Sequence, residues 1–178
     1  TIIEGDAHIG ENCVIGPNCK VTNTEIHNEV QIINSVILDS EVHKEAKIGP
    51  FAYIRPGSVI GEKVKIGDFV EVKKSQIGNN TKIAHLTYVG DAKIGSNVNI
   101  GGGVIVVNYD GSKKHVTSIK DNAFIGCNSN LIAPVEINEN SYIAAGSTIT
   151  NDVPSNSLAI ARNQQTIKQN WVIRRKNK

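Results

Sequence analysis

The feature that most constrains this chain is a beat. Aliphatic residues stand at Ile3, Ile9, Ile15, Val21 and Ile26 and continue, every five or six residues, through Ile54, Ile60, Ile66, Val72, Ile77, Ile83, Val89, Ile94 and Ile100 to Val106; the beat resumes at Ile119, Ile125, Leu131, Ile137, Ile143 and Ile149. That period matches neither the 3.6 of an amphipathic helix nor the 2 of an ordinary strand. A second signal runs with it. Two residues before a beat the chain places a small side chain, as at Cys13, Cys19, Ala46, Ala52, Ser58, Thr81, Thr87, Ala92, Ala123, Ser129 and Ser147. Side chains two apart lie on one side of an extended chain, so each unit turns one large and one small group the same way. Glycine often follows the beat, as in the Ile-Gly pairs ending at Gly10, Gly16, Gly49, Gly61, Gly67, Gly78, Gly95, Gly101 and Gly126. The expectation drawn from it is a corner that needs positive φ.

Short strands that each end in a corner build a triangular solenoid. Three units make a coil of roughly 17 or 18 residues, and coils stack as parallel strands roughly 4.8 Å apart. The expected fold is all-β: a parallel β-helix of about eight coils over residues 1–153, on the order of 40 Å long. Residues 107–118, containing Asn-Tyr-Asp-Gly-Ser-Lys-Lys-His, read as an external loop. Residues 154–178 read as a tail in which Arg162–Trp171 forms a short helix ahead of a basic end. The repeat does not fix the hand of the coil, and parallel crossovers in general are right-handed.

The 178 residues suffice for one domain with a continuous core. Beginning on Thr1 rather than Met, the chain reads as a fragment or a processed product. No apolar run approaches the roughly 18 to 20 residues of a membrane span, and nothing resembles a signal peptide. Three cysteines, Cys13, Cys19 and Cys127, form no metal-type pair and point to reduced thiols in a cytoplasmic setting. Cys13 and Cys19 fall on inward positions, whereas Cys127 faces out. Net charge is +2, but all 17 acidic residues lie at or before Asp152, and Arg162, Lys168, Arg174, Arg175, Lys176 and Lys178 follow. Such a tail suits a phosphorylated ligand or a solvated end. Its basic residues are not interleaved with aromatics, which argues against nucleic acid.

Residues three beats apart stack on adjacent coils. Arg55 then sits in one column with Lys73, and Glu71 in another with Tyr88, while His85 has Asp68 below it and Gly102 above. Asn99, Asn108 and Tyr109 fall within the same four coils. His8, His27 and His43 read as solvated outward residues. Like charges stacked about 5 Å apart repel unless an anion bridges them, so Arg55 over Lys73 points to a phosphate site. A histidine beside it can accept a proton near neutral pH.

The run "RPGSVIGEKVKIGDFVEVKKSQIGNNTKIAHLTYVGDAKIGSNVNIGGGVIVVNYDGSKKH", together with "IAAGSTITNDVPSNSLAIARNQQTIKQNW", resembles the C-terminal acetyltransferase domain of the bacterial bifunctional N-acetylglucosamine-1-phosphate uridyltransferase/glucosamine-1-phosphate N-acetyltransferases, within the hexapeptide-repeat, left-handed β-helix acyltransferases. The segment "HLTYVGDAKIG…NIGGG…NYDG" is specific to that group. The left hand is an implication of the resemblance. So are acetyl-CoA as co-substrate, glucosamine 1-phosphate as acceptor and a homotrimer with shared sites. His85 would be the general base and Glu71 would orient it; Arg55 and Lys73 would hold the phosphate, with Tyr88 and Asn99 on the sugar. Gly102, Asn108, Tyr109, Lys114, Cys127, Ala145 and Arg162 would line acetyl-CoA. The uridyltransferase domain, with its Mg²⁺ site, would lie outside this chain. The rival expectations are another hexapeptide acyltransferase, a zinc carbonic anhydrase on the same prism, and a non-catalytic β-helix scaffold. The carbonic anhydrase needs three convergent histidines, which His85 and the loop residue His115 do not supply. A scaffold would show a regular outward array rather than one dense polar cluster.

Overall fold

A computed structural model describes residues 1–176; Lys178 of the expected basic end, with Asn177, lies outside the described residues. Apart from one short helix, regular structure among them is all strand: 26 strands in three parallel sheets of nine, eight and nine. As far as Thr148–Ile149 consecutive strands go to consecutive sheets, so neighbours within a sheet are three strands apart along the chain. In the first sheet, which begins with Ile2–Glu4, Ile37 stacks on Ile54, Val72 and Val89. In the third, which begins with Val14–Ile15, Ile66 stacks on Ile83 and Ile100. The beat is therefore a set of three aliphatic columns inside a prism. Every beat residue from Val21 to Ile149 is buried.

The small positions fill the corners between columns. Several buried hydroxyls there are satisfied locally: Ser35 donates to the Ile33 carbonyl (2.7 Å), Ser75 to that of Lys73 (2.8 Å) and Thr87 to that of His85 (2.6 Å), whereas Thr117 Oγ1 has no partner among the described residues. Cys19 is buried, Cys13 half-buried with its thiol 3.0 Å from the His27 carbonyl, and Cys127 exposed; all three are free.

Four expectations shift. The stack comes to about nine coils rather than eight, because Leu158–Ala159 pairs with Tyr142–Ile143 beyond the last aliphatic beat. The external loop is shorter at both ends, since Val107 belongs to the strand Ile105–Val107 and Thr117 to Thr117–Ile119. The helix is not Arg162–Trp171 but Trp171–Lys176, inside the basic end. Between Arg162 and Asn170 the only apolar side chain is Ile167, so that stretch has no face to bury.

The glycines have a different cause from the one expected. Of the nine that follow a beat, only Gly16 and Gly49 have positive φ. At Gly101 a Cβ would stand 2.6 Å from the backbone nitrogen of Cys127, and at Gly126 2.5 Å from that of Ala145. Close approach of the next coil is what excludes a side chain. Positive φ falls instead on the residue just before the small inward one, as at Asn12, Asn18, Asn80, Asn97, Asn122, Asn128 and Asn140. Asparagine tolerates this left-handed region better than other non-glycine residues.

Candidate active site

His85 ends the strand Lys82–His85 of the third sheet, at the corner leading into the first sheet. Asp68 lies beneath it in register, and Asp68 Oδ1 is 2.7 Å from His85 Nδ1. An ionised carboxylate only accepts hydrogen bonds, so Nδ1 carries a proton, and in the neutral ring the lone pair is on Nε2. The histidine in turn holds the Asp68 carboxyl below the ordinary aspartate value. Above the imidazole the side chains become small. A Cβ on Gly102 would lie 3.6 Å from that of His85. The next coils place exposed Cys127 and Ala145 over Gly102, tied by the Asn128 amide to the Gly102 carbonyl (2.9 Å) and the Gly146 amide to that of Cys127 (2.8 Å). A strip of accessible surface thus runs along the prism from the histidine.

Around the same corner, the first sheet turns its charged residues outward. Arg55 Nη1 donates to Glu71 Oε1 (2.7 Å) and Lys73 Nζ to Asp91 Oδ2 (3.2 Å). Asn108 Nδ2 also donates to Asp91 Oδ2 (2.5 Å) and lies 3.5 Å from the Tyr88 hydroxyl. Gly90 makes this possible, because a Cβ there would meet the Tyr88 hydroxyl and sit 2.8 Å from Asn108 Nδ2. Lys114 arrives from the loop beside Lys73. Lys73 holds the Lys114 ammonium below the ordinary lysine value. Burial opposes ionisation of Asp91, yet hydrogen bonds from Asn108 and Lys73 outweigh it and keep the carboxyl below its ordinary value. Arg55, Lys73 and Lys114 therefore form a cationic cluster with two carboxylates among them.

Two readings of these columns change. The like charges of Arg55 and Lys73 are each met by a carboxylate from the next coil, so an external anion is not needed to hold them together. The carboxylate against His85 is Asp68, and Glu71 is taken by Arg55. Asp91 was not singled out from the sequence, although it lies just one coil beyond Lys73. The fold brings Arg55, Glu71, Lys73, Tyr88, Asn108 and Lys114 together, with His85, Gly102, Cys127 and Ala145 on the adjoining corner. It does not bring Asn99 to them. Asn99 sits between Lys82 and Phe124 on the outward face of the third sheet, and the outward directions of two faces of a prism diverge. Arg162 is exposed beside Gly146, its Cδ within 3.7 Å of where a Cβ on Gly146 would sit.

The loop from Asn108 to Val116 orders itself. The Asp110 carboxylate accepts the amides of Ser112 and Lys113 (both 2.8 Å) and contacts His115 Nε2 (2.6 Å), while the Tyr109 hydroxyl donates to the Gly111 carbonyl (2.7 Å). The Lys113 amide above all, then His115 and the Ser112 amide, holds the Asp110 carboxyl down at about 2. A depressed carboxyl stabilises the fold above its ordinary value of 3.8 and loses that contribution as pH falls towards about 2. The Ser112 and Lys113 amide resonances are expected to shift together across that window, and Asp110→Asn to abolish the transition; unshifted amides between pH 4 and pH 2 would contradict it.

About nine parallel coils, with a carboxylate-held histidine on one corner and cations on the adjoining face, define the hexapeptide-repeat, left-handed β-helix class. Two solved structures share this fold: the UDP-N-acetylglucosamine acyltransferase LpxA of Bacteroides fragilis (TM-score 0.54, 19% identity, 88% of this chain and 68% of that one) and PerB of Caulobacter crescentus, solved with CoA and GDP-perosamine (TM-score 0.52, 19% identity, 72% and 68%). The chain belongs to the family of the GMPPB C-terminal domain, whose model matches residues 40–175; residues 7–40 match the hexapeptide repeat of succinyl-transferase. Among curated proteins it is 63% identical over 175 residues to the bifunctional protein GlmU of Acetivibrio thermocellus and 55% identical over 174 residues to GlmU of Clostridium kluyveri. In both cases the match covers 98% of this chain but only 38% of the relative.

Proposed function

We propose that this domain moves the acetyl group of acetyl-CoA to the amine of glucosamine 1-phosphate, giving N-acetylglucosamine 1-phosphate. The observation that carries this reading is the His85–Asp68 pair beside three cations, in a chain 63% identical to GlmU. The His85 Nε2 lone pair takes the proton of the amine as nitrogen attacks the thioester carbonyl. The tetrahedral intermediate then collapses, the new amide forms, and CoA leaves as the thiolate. Asp68 fixes the tautomer and stabilises the imidazolium. Glu71 acts through Arg55. A guanidinium has five N–H donors, so Arg55 can hold Glu71 and the sugar phosphate together, with Lys73 and Lys114 completing the phosphate site. Tyr88 and Asn99 bind the sugar.

The strip over Gly102, Cys127 and Ala145 suits the pantetheine arm of acetyl-CoA, and CoA in the PerB complex supports an acyl-CoA donor. Asn108, Tyr109 and Arg162 complete that binding surface. Asn99 serves the site of a neighbouring subunit in a homotrimer. Phe51, Phe69 and Leu86, exposed on the same corner as His85, give that neighbour an apolar contact. In the intact protein a uridyltransferase portion, which uses Mg²⁺, would carry the product on to UDP-N-acetylglucosamine for the cell wall, in the cytoplasm. Positions 1–159 are the catalytic prism, and positions 160–176 the tail that closes the acetyl-CoA end.

Free thiol release from acetyl-CoA tests the reading. It is expected to depend on glucosamine 1-phosphate and to proceed in EDTA. Release at the same rate without the sugar, or none with it, would contradict the assignment.

A further inference from the structure

A second group of titratable side chains stands on the second sheet, which begins with His8–Ile9, away from the catalytic corner. The tripeptides Glu25-Ile26-His27 and Glu41-Val42-His43 lie on adjacent coils, with Glu25 in register with Glu41 and Ile26 with Val42. Alternate residues of a strand face one way, so with Ile26 and Val42 buried, all four polar side chains point outward. The two imidazole rings stack with centroids 4.6 Å apart and planes 17° apart. Both Nε2 atoms converge on a single oxygen: Glu41 Oε1 is 3.2 Å from that of His27 and 3.1 Å from that of His43. The Glu25 carboxylate approaches the same His27 nitrogen at 3.6 Å.

Hydrogen bonding alone accounts for an imidazole N–H on a carboxylate. It does not account for two further features. Glu25 directly over Glu41 sets like charges in register, an arrangement that costs energy unless a cation lies between them. The donor spacing is also that of a coordination shell. With metal–ligand bonds of about 2.0–2.1 Å, two ligands of a tetrahedral ion stand about 3.3 Å apart. The two His–Glu41 separations already match that edge, and all three donor atoms lie within 4.8 Å of one another.

Nothing crowds the group from within its columns. Gly10 lies below His27 and Gly61 above His43, as the Gly10 amide bonds the Ile26 carbonyl (2.7 Å) and the His43 amide that of Ile60 (2.8 Å). A cavity of about 310 Å³ opens beside it, lined by His8, Gly10, Glu25, His27 and Asn28.

We propose that His27, Glu41 and His43, with Glu25 as fourth donor, form a site for a divalent transition-metal ion of the zinc type. Two neutral imidazoles and two carboxylates would give a neutral site with a doubly charged ion. Mixed nitrogen and oxygen donors favour such an ion over Mg²⁺ or Ca²⁺, which prefer all-oxygen shells. The ion would clamp the second coil to the third without touching the acetyl-transfer site.

The test is calorimetric titration of untagged, chelator-stripped protein with Zn²⁺, paralleled by the visible absorption of Co²⁺. Wild type is expected to bind one ion per chain that excess Mg²⁺ does not displace, and Co²⁺ to show the intense bands of tetrahedral coordination. His43→Ala and the shape-conserving Glu41→Gln should each weaken that ion at least tenfold, with far-ultraviolet circular dichroism and acetyl transfer unchanged. His85 and Cys127 are other conceivable ligands, and the variants distinguish them. Unchanged affinity and stoichiometry in both variants would overturn the proposal, as would displacement by Mg²⁺ or the absence of binding by wild type at submillimolar Zn²⁺.

Discussion

Replacing His85 by Ala is expected to lower turnover about 10²- to 10⁴-fold, the range that a positioned general base contributes. The acceptor amine is protonated near neutral pH and cannot attack in that form, and once nitrogen has added to the carbonyl its proton must leave. Without Nε2 the only acceptor is water. Binding of acetyl-CoA should hardly change, because the strip over Gly102, Cys127 and Ala145 and the cations on the next face remain. Stability should move by no more than about 0.5 kcal/mol, since the side chain is 61% exposed. Asp68→Asn divides the role further: an amide can still touch the ring but cannot stabilise the imidazolium, so turnover should fall less than in His85→Ala and KM for acetyl-CoA should stay put. Steady-state kinetics at neutral pH decide the matter. A His85→Ala enzyme with a tenth or more of wild-type turnover would reduce the histidine to a lining residue.

The second large effect concerns the acceptor's phosphate. Glucosamine, which lacks it, is expected to react with kcat/KM lower by at least about 10²-fold, because hydrogen bonds to charged groups contribute about 1.5–3 kcal/mol each and at least two are lost together. The carboxylates temper this figure, since Glu71 and Asp91 already engage Arg55 and Lys73 in the free protein. For the same reason Lys73→Ala should weaken the phosphorylated acceptor and also disturb the loop, as it leaves Asp91, only 9% exposed, with Asn108 as its remaining hydrogen-bond donor. Comparable kcat/KM for glucosamine and its 1-phosphate would show that these cations serve another purpose.

The columns of the site could be counted from the sequence because each coil repeats the last with a nearly constant step. Counting alone placed Asp68 under His85 and Glu71 under Tyr88. The partner of each carboxylate was not countable. Asp68 is short and lies directly beneath the ring, so it reaches Nδ1, whereas the longer Glu71 reaches back one coil to Arg55. Asp91 sits at a left-handed corner with φ of 50°, a position that the aliphatic beat does not mark. The role of the glycines was hidden for a related reason. Periodicity within a coil is written in the sequence, but how closely the next coil approaches depends on stacking. His27 and His43, read singly, were surface histidines; only register made them a pair.

Apart from the loop that carries Lys114 back to Lys73, the strands of each coil pair only with those of the coils above and below. Cohesion in such a stack is a sum of neighbour terms, and it need not be lost all at once. In this domain taken alone Ile3 and Ile9 are 48% and 41% exposed, while Val64, Ile83 and Val98 are fully enclosed. Melting should therefore travel inward from the ends as fraying. The catalytic corner, in the middle of the stack, is among the last places it reaches.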